Sequence, residues 1–97
     1  MYGTVARMRI KPGMEAQADA YMTRITASQI PGNVATYMYR MDANPNEFYM
    51  ATIFESKDAY FANANAPEQN ARYEEMLSFL DGPPEWHDGE VVYTQGG

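Results

Sequence analysis

Two neighbouring segments, Asn33–Asp42 (NVATYMYRMD) and Glu47–Glu55 (EFYMATIFE), are dense in the aromatic and apolar residues that favour strands. Each is also apolar on both sides of the strand alternation. In the first, Val34, Thr36 and Met38 share one side, with Ala35, Tyr37, Tyr39 and Met41 on the other. In the second, Phe48, Met50, Thr52 and Phe54 oppose Tyr49, Ala51 and Ile53. The connector Ala43-Asn44-Pro45-Asn46 is made of turn-compatible residues, so the two segments form an antiparallel hairpin. A sheet face that meets water is polar at alternate positions, and neither face of this hairpin is. Left bare, it would expose an apolar patch of roughly several hundred Å², more than soluble monomers usually carry. Helices cover one face of such a sheet. The other is expected to pack against a second copy, as a homodimer through the sheet face. The plainer alternative is a monomer whose tyrosines tolerate exposure.

The remaining elements surround this hairpin. Tyr2–Ile10 alternates, with Thr4, Ala6, Met8 and Ile10 on one face, and reads as a strand ended by Lys11-Pro12-Gly13. Met14–Gln29 is a helix by the spacing of Met14, Ala18, Tyr21, Met22 and Ile25, and Ile30-Pro31-Gly32 stops it. Ser56 is the expected N-cap of a helix through Lys57, Ala59, Tyr60 and Phe61. That helix breaks near Asn65-Ala66 and resumes at Pro67, a residue suited to a first turn. Tyr73, Met76, Leu77 and Leu80 are spaced to face the core, and Asp81-Gly82-Pro83-Pro84 ends the run. A last strand is expected within Trp86–Thr94, strongest over Glu90-Val91-Val92-Tyr93, with Gln95-Gly96-Gly97 frayed. The order βαββαβ with right-handed crossovers gives an α+β, ferredoxin-like fold. Its antiparallel four-stranded sheet carries two helices on one face, in a single domain over 1–97.

Composition narrows the function. Seven basic residues against thirteen acidic ones, a net charge of −6, disfavour nucleic acid as a partner. No apolar run reaches the roughly 18 residues of a membrane span, and the start lacks a signal-peptide layout, so the expected location is cytoplasmic with no membrane partner. The sequence contains no cysteine and one histidine, His87, which removes thiolate sites and any site needing two histidines from one chain. Arg40 is expected to pair with Asp42 or Glu47 across the hairpin, and His87 to be a surface residue.

Three features together resemble the antibiotic biosynthesis monooxygenase (ABM) family of dimeric α+β barrel proteins. They are the element order, the strand Phe48–Ser56 running into a helix, and the tail Pro83-Pro84-Glu85-Trp86-His87-Asp88-Gly89-Glu90-Val91-Val92. The segment Phe54-Glu55-Ser56-Lys57-Asp58-Ala59 stands where that family often has Trp-x-Ser/Asp-x-Glu-Ala. The resemblance implies a sheet-to-sheet dimer and, in each subunit, a ligand cavity between sheet and helices. It also implies cofactor-free oxygenation of phenolic or quinol-like substrates, haem degradation, or no activity at all. The haem-degrading branch places an asparagine, a tryptophan and a histidine where this chain has Ala6, Phe54 and Tyr73 or a neighbour of it, so haem is not expected. Other members carry a helix histidine where Asn63 stands.

The leading expectation is therefore oxidation of a small aromatic or hydrophobic ligand with no cofactor and no metal. The expected substrate-binding residues are Tyr37, Phe54, Tyr60, Asn63 and Tyr73, and no catalytic residue is assigned. A non-catalytic small-molecule binder, a stress-associated dimer and a purely structural module stand as alternatives. For each tyrosine the competing role is ordinary packing. For Asn63 and Asn65 it is helix-end capping.

Overall fold

The computed structural model describes residues 1–96. Strand β1 spans Tyr2–Arg9 and is followed by helix α1, Glu15–Ala27. The hairpin is β2, Asn33–Arg40, and β3, Glu47–Phe54. Helices α2, Lys57–Ala64, and α3, Pro67–Leu77, lead to β4, Glu85–Glu90. The strands form one antiparallel sheet in the order β2-β3-β1-β4, the ferredoxin-like arrangement expected from the element order.

Register decides which side chains meet the helices. Thr4, Ala6 and Met8 of β1 stand opposite Thr52, Met50 and Phe48 of β3, and all three β1 residues are buried, as is Ile10 just past the strand. Ala6, Met8 and Ile10 pack with Ala18 and Tyr21 of α1 and Met76 of α3. Phe79 and Leu80, just past α3, complete this core, and the Tyr21 and Phe79 rings meet edge-on with centroids 5.3 Å apart. Leu77, expected in the core, is only half-buried; the chain leaves the helix after it and turns Phe79 inward instead.

The helix break falls where the sequence places it. The Ser56 side chain accepts the Ala59 N–H at 3.1 Å, capping α2. Asn65 closes α2, and α3 starts at Pro67 behind Ala66. Gly32 has a φ of +79° just before β2, and a Cβ there would lie 2.8 Å from the Ala59 Cβ. Only glycine lets the chain pass so close to α2 in that conformation.

The last strand departs from expectation. Its ladder pairs Arg7 to Glu85 through Tyr2 to Glu90 and ends where the Val91 N–H donates to the Met1 carbonyl at 3.0 Å. Among the described residues no strand runs beside Val92 and Tyr93, which are 73% and 92% exposed. Strand propensity is therefore highest where pairing has run out. Gly97 lies outside the described residues. Arg40 also differs. Glu47 is taken by Arg7 at 2.7 Å and by Arg9 at 3.6 Å, and Arg40 stacks over the Phe48 ring at 5.5 Å instead.

Gly3 is the tightest point of the β1–β3 pair: a Cβ built on it would stand 1.9 Å from the Thr52 carbonyl oxygen. Gly89, its partner on β4, faces open space. Gly3→Ala is expected to destabilise the fold by at least about 1–3 kcal/mol in urea unfolding, the range for forced overpacking. Gly89→Ala should have little effect. Equal midpoints for the two variants would contradict this register.

Candidate active site

Between the helix-covered face of the sheet and the three helices lies a cavity of about 360 Å³. Its apolar wall is made by Met50, Phe54, Phe61, Tyr73, Met76 and Trp86. The Tyr73 and Trp86 rings are tilted with centroids 6.3 Å apart, and Tyr60 meets the Phe54 ring edge-on at 5.6 Å. Four of the five expected binding residues, Phe54, Tyr60, Asn63 and Tyr73, line this cavity together. Tyr37 does not. It pairs with Ala51 of β3, on the opposite parity from Met50 and Thr52, and is 55% exposed on the open face. The strand alternation that turns Phe54 inward turns Tyr37 outward.

A polar row crosses the floor of the cavity. Asp88, Thr4, Thr52 and Thr36 occupy matching positions on β4, β1, β3 and β2. Thr36 and Thr52 share a hydroxyl hydrogen bond of 2.8 Å, and the Asn33 amide donates to the Thr52 hydroxyl at 3.2 Å. The Thr4 hydroxyl is buried and has no hydrogen-bond partner. An unsatisfied buried hydroxyl costs on the order of 1–3 kcal/mol, so such a group is usually met by water or ligand.

At the Asp88 end, the Tyr60 phenol donates to the Asp88 carboxylate at 2.8 Å. Burial, aided by this hydrogen bond and by the negative charge of Asp88, pushes the Tyr60 phenol up to about 12. The Thr4 hydroxyl lies close to Tyr60 and exerts a smaller opposing pull, but its geometry falls outside a hydrogen bond. Tyr60 is therefore a neutral donor at physiological pH.

The helices bring a second polar group. The Asn63 amide of α2 donates to the Gln69 carbonyl oxygen at 3.2 Å. Arg72 of α3 donates through Nε to Gln69 at 3.1 Å and through Nη2 to the Asn63 carbonyl oxygen at 3.1 Å. Gln69 and Arg72 are one helical turn apart, and the break before Pro67 swings α3 so that this turn meets the end of α2. Asn63 thus faces the cavity, whereas Asn65, the C-cap of α2, is exposed. Among the described residues no carboxylate pairs with Arg72.

Thr4, Gln69, Arg72, Trp86 and Asp88 were not expected at this site. Thr4 had a signal, since it is the one polar residue on the buried parity of β1. Arg72 and Asp88 had none, because their placement depends on the α2–α3 angle and on the β1–β4 register. His87 sits on the open face beside Glu85, 2.7 Å away, and takes no part in the cavity. No cluster of three or more acidic or histidine side chains able to hold a metal occurs among the described residues. None of the helices is long and apolar enough to cross a membrane.

Structures of the same fold exist for several other proteins. One is SnoaB, a cofactor-independent oxygenase from Streptomyces nogalater: TM-score 0.81, 17% identity, with 96% of this chain and 94% of that one covered. A candidate antibiotic biosynthesis monooxygenase from Chloroflexus aurantiacus gives TM-score 0.79 at 20% identity over 98% and 96%. Another from Caulobacter crescentus gives 0.82 at 18% over 95% and 90%. At these identities the likeness speaks for the fold. No curated protein matches the chain. The family model for antibiotic biosynthesis monooxygenase matches residues 1–75, from β1 through most of α3, and the chain belongs to that family.

Proposed function

We propose that this chain is a cofactor-independent monooxygenase acting on a small phenolic or quinol-like aromatic substrate held in the cavity. The observation that carries the reading is the pairing of an aromatic wall with two separate polar groups, Asn63–Gln69–Arg72 and Tyr60–Asp88, along one cavity. The shared fold with SnoaB, itself a cofactor-independent oxygenase, supports it.

The chemistry asks three things of the protein: removal of a substrate proton, stabilisation of the resulting anion, and exclusion of water. Asp88 is the one carboxylate on the cavity lining and serves as the proton acceptor. Tyr60 stays protonated and orients it. Arg72, held by the Asn63 carbonyl oxygen, gives the cavity the positive potential that favours an anionic substrate. In an anthrone-like substrate, the ring CH₂ that has lost a proton gives its electron pair to dioxygen, forming a carbon–oxygen bond. The resulting hydroperoxide loses water and leaves a carbonyl. One oxygen atom ends in the product and the other in water, so dioxygen is the only oxidant.

A second reading, a non-catalytic binder of the same ligands, is favoured by one feature: the lining holds no histidine, and its lone carboxylate is already bonded to Tyr60. We further infer that two copies pair through the open sheet face. Val5, Tyr37 and Tyr39 are each about half exposed there, beside Tyr49 and Ile53, with the Arg7–Glu47 ion pair at the edge.

Oxygen uptake with a panel of hydroquinones and anthrone-like phenols is expected to exceed the uncatalysed background, and Asp88→Asn is expected to lose about 10²–10⁴-fold of it. Thermal stabilisation by the same compounds without oxygen uptake would instead favour the binder. The pH response follows from Tyr60. Its folded-state value lies above the ordinary 10.0, so the associated stability is intact below pH 10 and is lost as pH rises through about 12. An ultraviolet titration should show late tyrosinate ionisation that Tyr60→Phe reduces, with the buried Tyr21 phenol, also raised, accounting for the remainder. A single step near 10 for all tyrosines would contradict the Tyr60–Asp88 contact.

A further inference from the structure

The cavity lining carries two charged side chains, Arg72 and Asp88, and they are treated differently. Asp88 has its hydrogen bond from Tyr60. Arg72 is held only by neutral oxygens, those of Asn63 and Gln69. The neighbouring acids do not neutralise it. Glu75, three residues on, is paired with Arg24, and Glu68, one turn back, lines the adjoining hollow without an ion pair. This arrangement is unusual in a chain of net charge −6, where acids outnumber bases.

Donor geometry shows what is left over. A guanidinium has five N–H groups. Nε and one hydrogen of Nη2 are spent on Gln69 and Asn63, which uses the side-on edge. Both hydrogens of Nη1 and the second of Nη2, the end-on fork, have no protein partner among the described residues. That fork matches the two oxygens of a carboxylate. The bonds from Asn63 and Gln69 hold the guanidinium in place, so a ligand need not order it. On the floor of the cavity the buried, unpartnered Thr4 hydroxyl offers a second and neutral contact.

Resting on the reading of this cavity as the ligand site, we propose that it selects a hydroxylated aromatic carboxylic acid. The carboxylate is held end-on by Arg72, and a hydroxyl or carbonyl of the ring system meets Thr4. Arg72 is then the residue that sets specificity for an acid over its neutral analogues. Asn63 and Gln69 are positioning residues that act through it.

Calorimetric titration with a hydroxynaphthoic acid, its methyl ester and the corresponding unhydroxylated acid tests this. The native chain is expected to bind the acid at least about tenfold more tightly than the ester, the margin of one charge-assisted bidentate contact. Arg72→Gln should bring acid and ester to within about twofold without abolishing ester binding, and Arg72→Lys should restore part of the preference. Thr4→Val should weaken the hydroxylated acid toward the unhydroxylated one. Equal binding of acid and ester by the native chain overturns the anion anchor while leaving the cavity as a ligand site, and needs no variant to fold. Binding of none of the three probes overturns both. A clear acid preference with no oxygen uptake on any substrate keeps the anchor and removes the oxygenase reading.

Discussion

The structure depends on a sheet that its own helices cover on one side only. Alternation along each strand then sorts every side chain into one of two surroundings. Ala6, Met8, Met50 and Phe54 face the helices and make core and cavity wall. Val5, Tyr37, Tyr39 and Ile53, one residue away in each strand, face outward. Neither set is polar enough to be indifferent to water. Burying the first builds the fold, and the proposed dimer buries the second.

The cavity arises from departures within the covered face. A purely apolar floor would have closed it, as Leu80 and Phe79 close the far end around α1. The row Asp88–Thr4–Thr52–Thr36 interrupts that packing, and most of its members satisfy one another or a neighbouring side chain. Thr4 is the exception. The helices contribute the complementary departure, because the break at Asn65-Ala66 lets Asn63, Gln69 and Arg72 converge where a continuous helix would hold them apart. These polar groups border an aromatic-walled cavity that four strands and three helices share.

Much of this was legible in the residues. The element order, the hairpin, the Ser56 cap and the Pro67 restart follow from local rules and recur in the structure. Phe54, Asn63 and Tyr73 were picked out by the family resemblance and Tyr60 as a tyrosine in an element expected near the cavity, and all four line it. Tyr37 was misplaced because the hairpin is apolar on both flanks, so composition gives no hint of which flank the helices take. The end of β4 was misplaced for a related reason. Val91-Val92-Tyr93 has high strand propensity, but a strand ends where its neighbour does, and that is a property of register. Arg72 and Asp88 were out of reach, since their place on the cavity lining appears only when the α2–α3 angle and the β1–β4 pairing are known.

The outward set supplies the most direct test of this division of the sheet. Sedimentation of the purified chain should give a particle of twice the chain mass, and a charge placed at the centre of the open face, Ile53→Lys, should shift it to single chains while the helix-side core stays folded. A native chain that sediments as one copy at high concentration, with Tyr37 and Tyr39 in water, would contradict the account that the second face exists to be covered.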